Sequence, residues 1–178
     1  MVCGCNVNTN LDDTAPIDAY INELRRDVKK QGVAYNPNIA CYVDLTLPDN
    51  SYRFFVLNLT LRRVLVQGIC LNGLTNERGQ IRYSNVINSN CSSRGLARIG
   101  EHYNGRFGRA FRLYGLEPST SNLRRRAVVL HSWEGVPARP TAEHPIQSQG
   151  CPTLNPFVLD TLARFIEDSS KPILLRLH

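Results

Sequence analysis

Every apolar run in this chain is short, and this property constrains the fold more than any other. The longest runs lie near Phe54–Leu57 and Val64–Cys70, which is the length of a β-strand and far below the length of a membrane-spanning helix. Short runs of β-branched, aliphatic and aromatic residues between turn residues are typical of strands. A chain of 178 residues can bury one core. We therefore predict a mainly β fold with a few helices, a single domain over residues 16–178, and a flexible segment over residues 1–15.

Six segments carry the strand pattern, and two of them are predicted to form a β-hairpin. The hairpin strands are Tyr52–Thr60 and Arg63–Cys70. From Ser84 to Gly108 the chain is dense in Ser, Asn and Gly, which predicts an irregular segment facing a ligand. The other predicted strands are Ile39–Leu45, Arg112–Leu116, Arg126–Trp133 and Pro172–Leu177.

Two segments have apolar residues at helical spacing. The first begins at Pro16 and ends near Gly32, which fits the preference for proline at a helix start and glycine at its end. The second covers Pro156–Glu167, with Asn155 as the N-cap residue before a proline in the first turn. We predict a helix at each place.

A cysteine and a histidine stand where predicted elements end. His131 lies near the end of a predicted strand, and Cys151 lies in a turn just before the second helix. A thiol becomes a strong nucleophile when a base such as imidazole takes its proton. Gly150 would let a substrate carbonyl approach, and the amides of Gln149 and Gly150 would face the oxyanion. The pattern indicates a nucleophilic cysteine with a histidine base. The alternative, a buried structural cysteine, stays open.

The segment from His131 to Leu154 resembles the active-site signature of the YkuD-type L,D-transpeptidases, in which a histidine precedes a Ser-x-Gly-Cys turn. The Gly150-Cys151-Pro152 sequence is most similar to the murein L,D-transpeptidase catalytic-domain branch. Upstream matches keep the order and near spacing of that branch. They are Tyr83-Ser84-Asn85, Ser92-Ser93-Arg94-Gly95, Tyr103-Asn104-Gly105, Gly108, Arg112-Leu113-Tyr114-Gly115-Leu116, Asn122 and Arg126-Ala127-Val128-Val129.

The resemblance implies a β-sandwich or barrel-like catalytic fold and a cofactor-free enzyme acting on peptidoglycan stem tetrapeptides. Cys151 would form a thioester, and an amine of a second stem would resolve it into a 3-3 cross-link. His131 would be the base, with its imidazole oriented by the backbone carbonyl of Ser132. Two alternatives stay open, namely an L,D-carboxypeptidase or murein-peptide hydrolase with the same site, and a non-catalytic murein-binding module.

The resemblance also suggests residues that contact the substrate, each with a purely structural role as its alternative. His144 is either one of these or a rival base, and we favour His131 as the base. Pro152 and Thr153 depart from the wider YkuD pattern, because many of those enzymes have an aliphatic residue and then an arginine after the cysteine. The predicted substrate-binding residues are Ser84, Asn85, Arg112, Trp133, His144 and Ser148.

The net charge of +6 and pI near 9.2 suit anionic cell-wall polymers. The densest basic run, Arg124–Arg126, has no interleaved aromatic residues and belongs to no nucleic-acid motif, so we expect no nucleic-acid partner. Cys3 and Cys5 are one residue apart, unlike the pairs of zinc knuckles, and we expect no metal site.

The implied substrate lies outside the cytoplasmic membrane. We therefore expect an exported protein, periplasmic or attached to the cell envelope, whose leader is absent from this sequence. Cys3 or Cys5 is a candidate lipid-anchor residue near the N-terminus. The pairing of Cys41, Cys70 and Cys91 stays open, because connectivity cannot be read from spacing, and no pattern points to an oligomeric state.

Overall fold

The computed structural model describes residues 16–178; the candidate anchor cysteines and the predicted flexible segment lie outside this range. It contains the two predicted helices, α1 Ile17–Gln31 and α2 Pro156–Glu167, and a short 3-10 helix, Pro118–Thr120. No helix in the described range is both long and apolar enough to cross a membrane. The strands are β1 Ile39–Val43, β2 Phe54–Asn58, β3 Arg63–Gly68, β4 Cys70–Leu71, β5 Gly95–Gly105, β6 Gly108–Gly115, β7 Val129–Ser132, β8 Thr153–Leu154 and β9 Leu174–Leu177.

All nine strands of the described chain form one sheet in the order β3-β2-β1-β9-β5-β6-β7-β8-β4. The two outermost strands, β3 and β4, are separated in sequence only by the fully buried Ile69. The chain therefore passes directly from one edge strand of the sheet to the other. The large sheet and the two helices confirm the prediction of a mainly β fold with a few helices. The predicted β2–β3 hairpin is also present.

The last described strand, β9, lies in the interior of the sheet. β9 pairs in parallel with β1 and antiparallel with β5. Its leucines are buried on both faces, since Leu174 packs with the residues under α1, whereas Leu175 and Leu177 pack with those under α2. The sequence predicts this strand but not its interior position, because pairing partners far apart in the chain leave no local signal.

The prediction of an irregular segment over Ser84–Gly108 is wrong for the second half of that range. Residues 95–105 form β5, the longest strand of the sheet, which pairs with β6 and β9. Its glycines and charged residues have low β-propensity, but hydrogen bonds from neighbours on both sides fix the strand. The buried side chains of Leu96, Ala97 and Ile99 attach it to the core.

Each helix covers one face of the sheet with its apolar stripe. α1 packs Tyr20, Ile21 and Leu24 on one face, and α2 packs its leucines on the other, where the larger core lies. Asn155 caps α2 as predicted, because its side-chain oxygen accepts a 3.0 Å hydrogen bond from the Phe157 amide. The start of α2 thereby fixes the end of β8, the strand that follows Cys151.

Candidate active site

The parallel pairing of β7 with β8 brings the predicted nucleophile and base together. His131 is the register partner of Thr153, and the His131 amide donates to the Pro152 carbonyl at 3.4 Å. Side chains two residues apart on a strand share a face, so Val129 lies beside Cys151 just as His131 lies beside Thr153. The Val129 amide accordingly donates to the Cys151 sulfur at 3.5 Å.

Two cavities open onto this pair of residues. A smaller one, of about 190 Å³, lies against the β5–β6 hairpin, where Tyr103 and Ala110 line it. A larger one, of about 360 Å³, lies against Trp133 and the loop before Cys151. Cys151, His131, Arg106 and Phe107 line both cavities. A group that reacts at Cys151 can thus be approached from two sides.

The imidazole of His131 is held by hydrogen bonds at both nitrogens. Its Nδ1 lies 3.0 Å from the carbonyl oxygen of Ser132, the contact that the resemblance implies. Because a carbonyl only accepts, Nδ1 carries the proton and Nε2 can accept. Nε2 lies 3.0 Å from the hydroxyl of Thr153. Burial lowers the pKa of His131, and the Ser132 carbonyl opposes this only in part. The histidine is therefore neutral near pH 7 and able to accept a proton.

The thiol of Cys151 is also neutral at rest. Burial raises its pKa, while the Val129 amide and the positive charge of Arg126 oppose the increase. The sulfur lies 3.9 Å from the Ala127 carbonyl. No direct hydrogen bond joins the sulfur to His131 within the described residues, as is common before substrate binds. Reaction at this cysteine requires a base to remove its proton.

Arg126 belongs to the upstream residues that match the family pattern, but the sequence did not predict a role for it at the site. Its neighbours Arg124 and Arg125 are exposed, but Arg126 turns inward next to Ala127, which has a left-handed φ of 54°. Its guanidinium donates to four acceptors in the segment from Ser84 to Ser93. These are Ser84 O at 2.6 Å, Ser93 Oγ at 2.6 Å, Cys91 O at 2.7 Å and Ser89 Oγ at 3.3 Å.

Ser148 shapes the turn that carries Cys151. Its hydroxyl donates to the Cys151 carbonyl at 2.8 Å and accepts from the Gly150 amide at 3.1 Å. Both groups are therefore engaged in hydrogen bonds within the turn. The Ser148 hydroxyl had been predicted to contact substrate, and the Gly150 amide had been predicted to hold an oxyanion. The Gln149 amide forms no hydrogen bond with any of residues 16–178, so it stays the candidate oxyanion donor.

Gly150 is required by the backbone rather than by the approach of a substrate. Its φ is +100°, a conformation that L-residues rarely adopt. A Cβ at this position would lie 2.5 Å from the carbonyl oxygen of Cys91. The turn before Cys151 thus packs directly on the segment that Arg126 holds.

His144 is not at the site, so the rival-base interpretation is wrong. It lies on an exposed loop, its Nδ1 is hydrogen-bonded to Asp49, and it lines a separate cavity of about 680 Å³. Cys151 does not line that cavity. Sequence distance alone placed His144 near the cysteine, but the loop carries it to the segment around Asp49.

The predicted substrate contacts in the upstream block are structural in this fold. The Ser84 hydroxyl accepts from the Val86 amide at 3.0 Å, and Asn85 donates to the Pro118 carbonyl at 2.9 Å. Arg112 pairs with Glu101 at 3.1 Å and stacks on the Tyr103 ring. None of Ser84, Asn85 and Arg112 lines either cavity at Cys151. Arg112 contacts the ring of Tyr103, and Tyr103 lines the smaller of the two cavities.

Trp133 and Phe107 form aromatic walls of the site. Trp133, a predicted contact, lines the larger cavity and packs on Ile69 and Val136. Phe107 was not predicted. It stands at the tip of the β5–β6 hairpin, 51% exposed, with its ring stacked on His131 at 5.4 Å between centroids. The sequence signal that could have indicated Phe107 is an aromatic residue in a predicted turn between Gly105 and Gly108.

The four cysteines of the described range, Cys41, Cys70, Cys91 and Cys151, are all free thiols. Within residues 16–178 no group of three or more His, Cys, Asp or Glu side chains is arranged to hold a metal ion.

Comparison with known proteins identifies the family. The chain belongs to the L,D-transpeptidase catalytic domain family (YkuD_2), whose model matches residues 14–174. This family is related to peptidoglycan, and the match confirms the resemblance found in the sequence. No curated protein sequence is significantly similar to the chain.

Solved structures share the fold at low sequence identity. The chain is similar to the helical cell shape determining protein Pgp2 from Campylobacter jejuni, with a TM-score of 0.51 and 13% identity. The alignment covers 91% of this chain and 55% of Pgp2. A mutant form of Pgp2 gives the same TM-score at 14% identity, covering 91% of this chain and 54% of the other. The chain thus spans about half the length of these proteins, and the likeness concerns the fold.

Proposed function

We propose that this protein is a cysteine L,D-transpeptidase that acts on peptidoglycan stem tetrapeptides and forms 3-3 cross-links through a thioester on Cys151. One observation carries the proposal. Cys151 and His131 both line the same two cavities, and His131 is the register partner of Thr153, two residues after Cys151. Membership of the family supports the choice of substrate.

The first step is removal of the thiol proton. With the Nδ1 proton held on the Ser132 carbonyl, Nε2 of His131 is the nitrogen that accepts it. The S–H bond breaks, an N–H bond forms on Nε2, and the thiolate attacks the carbonyl that links the third stem residue to the terminal D-Ala. The charge that develops on the carbonyl oxygen requires donors nearby, and the Gln149 amide is the candidate.

Collapse of the tetrahedral intermediate breaks the peptide bond. The leaving amine of D-Ala takes the proton from Nε2, and the acyl group stays on Cys151 as a thioester. An amine of a second stem then attacks, gives its proton to Nε2, and releases the thiol as the proton passes back to sulfur. Water in place of the amine would yield a tripeptide instead, which is carboxypeptidase activity.

The two cavities match the needs of a two-substrate reaction. A donor stem and an acceptor amine must both reach the carbonyl carbon on Cys151, and they cannot occupy the same space. The cavities of about 190 and 360 Å³ meet at Cys151 and His131. We propose that the donor stem occupies one cavity while the acceptor approaches through the other. Because these stems lie outside the cytoplasmic membrane, the proposal includes export to the cell envelope.

The test is incubation with a disaccharide-tetrapeptide murein fragment, followed by chromatography and mass spectrometry of the products. We expect wild type to form a dimer that lacks one D-Ala. Cys151→Ala should form none, whereas Cys91→Ala, which removes a different thiol, should retain activity. A tripeptide product without dimer would show that the enzyme hydrolyses the stem instead of cross-linking it. The absence of any product would refute the proposal.

A second readout detects the acyl-enzyme itself. Carbapenems acylate the cysteine of this family, so intact-protein mass should show one carbapenem adduct on wild type. The adduct should be absent from Cys151→Ala and present on Cys91→Ala. An equal adduct on Cys151→Ala would mean that another group reacts.

A further inference from the structure

Thr153 contacts both reactive residues. Its hydroxyl lies 3.0 Å from Nε2 of His131 and 3.2 Å from the carbonyl oxygen of Cys151. The contact with His131 follows from the register, because the two are direct partners on parallel strands. Thr153 is almost completely buried, with 2% of its surface exposed. Its hydroxyl is therefore held between the imidazole of His131 and the Cys151 carbonyl.

The hydrogens of this small network can be counted. Three contacts run in series, from the Ser132 carbonyl to Nδ1, from Nε2 to the Thr153 hydroxyl, and from that hydroxyl to the Cys151 carbonyl. A neutral imidazole supplies one hydrogen and the threonine supplies another, so two hydrogens serve three contacts. An imidazolium supplies two hydrogens, and then all three contacts are hydrogen bonds. Only the protonated form of His131 satisfies the whole network.

We propose that Thr153 is a positioning residue that stabilises the imidazolium of His131 formed when Cys151 loses its proton. In the resting state the hydroxyl hydrogen is shared between Nε2 and the Cys151 carbonyl. Once the proton has moved from sulfur to Nε2, the new N–H donates to the Thr153 oxygen, and the hydroxyl turns to the carbonyl. The proton then leaves with the departing amine. This role rests on the proposed function, because it requires His131 to act as the base.

The surroundings of His131 explain why such an acceptor matters. The other ionisable groups lining the two cavities are Cys151, Arg106 and Tyr103, and no carboxylate among the described residues lines either one. Arg126 acts on the Cys151 sulfur, and no charged side chain among residues 16–178 contributes to the pKa shift of His131. Within the described part of the chain, a positive imidazole at this place therefore has no negative partner other than the thiolate. Its charge must be stabilised by neutral oxygens, and these are the Ser132 carbonyl and the Thr153 hydroxyl.

The test compares Thr153→Val, which keeps the shape but loses the hydroxyl, with Thr153→Ser, which keeps the hydroxyl. NMR titration of the imidazole Cε1 protons follows the four histidines of the chain, and a His131→Ala spectrum assigns the signal. We expect the His131 titration in Thr153→Val to move to lower pH, and Thr153→Ser to restore it. Equal titrations in wild type and Thr153→Val, or no recovery in Thr153→Ser, would overturn the role.

A second measurement gives the reactivity of the Cys151 thiol and needs no murein substrate. Iodoacetamide alkylation of the Cys151 peptide, followed by mass spectrometry near neutral pH, should be on the order of tenfold slower in Thr153→Val, because one charge-assisted hydrogen bond is lost. Thr153→Ser should react nearly as fast as wild type. Both variants should show circular dichroism spectra like that of wild type, which excludes unfolding as the cause.

The outcomes separate this role from the proposed substrate. If wild type fails to process murein but the titration and alkylation shifts appear, the substrate is wrong and the role of Thr153 stands. If wild type cross-links murein and Thr153→Val matches wild type in both measurements, only the role of Thr153 is refuted.

Discussion

Replacing Arg126 by methionine should destabilise the protein and slow the reaction of Cys151. Three of its hydrogen bonds are short, at 2.6, 2.6 and 2.7 Å, and two of them end on backbone carbonyls. At about 1 kcal/mol for each, which is below the usual value for a hydrogen bond to a charged group because the side chain is only half-buried, the loss is about 3 kcal/mol. Domains are typically stable by roughly 5–15 kcal/mol, so the variant should remain folded.

The functional effect has a separate physical cause. The positive charge of Arg126 opposes the burial that raises the pKa of Cys151. Without that charge the thiol pKa rises further, and less thiolate is available to react. Arg126→Lys retains the charge but cannot donate to four acceptors at once, so it should lose stability while keeping more of the Cys151 reactivity.

Urea unfolding gives the stability, and iodoacetamide alkylation of Cys151 gives the reactivity. Arg125→Met is the matched control, because the same substitution at an exposed neighbour should change stability by less than about 0.5 kcal/mol. The reasoning is refuted if Arg126→Met and Arg125→Met unfold at the same urea concentration. It is also refuted, for the charge effect, if Arg126→Lys reacts as slowly as Arg126→Met.

Three further predictions concern other parts of the molecule. Gly150→Ala should lower the free energy of unfolding by about 2–4 kcal/mol in urea titrations, because φ is +100° and the new Cβ would meet the Cys91 carbonyl at 2.5 Å; a loss below about 1 kcal/mol would contradict this. Phe107→Ala removes a wall shared by both cavities and should raise the ratio of tripeptide to dimer, whereas Phe107→Leu should change it less; an unchanged ratio would show that the ring does not limit water access. Burial raises the pKa of Cys70 to about 12 and that of Cys41 further. Both thiols ionise at lower pH when unfolded, so stability should fall by about 2 kcal/mol between pH 9 and 10, and a flat profile in that range would count against their burial.

The helices could be predicted from the sequence because their signals are local. Asn155 and Pro156 mark the start of α2, and Gly32 with a φ of +80° ends α1. Strand β5 could not be predicted in the same way. Its backbone is fixed by β6 and β9, and β9 lies some seventy residues further along the chain. Local composition therefore indicated a loop where long-range pairing produces a strand.

The residues of the candidate site also differ in whether a local signal in the sequence could predict them. Cys151 and His131 could be singled out because thiol and imidazole chemistry is visible in the residues and their turn. Thr153 and Arg126 could not, since their roles depend on which residue faces which across paired strands and packed loops. For Phe107 the sequence offered only its place between two glycines, and the stacking on His131 depends on how the hairpin folds.

The strand between β1 and β5 follows all the other described strands in the chain. Until Leu174–Leu177 has left the ribosome, β1 and β5 have no partner between them. The nascent domain then presents two strand edges whose amides and carbonyls are unpaired, a state prone to pairing with other chains. Completion of the sheet must therefore wait until Leu174–Leu177 has emerged and paired with both neighbours. A nascent chain stalled before this segment carries an open slot one strand wide, which an extended peptide of matching pattern would fit.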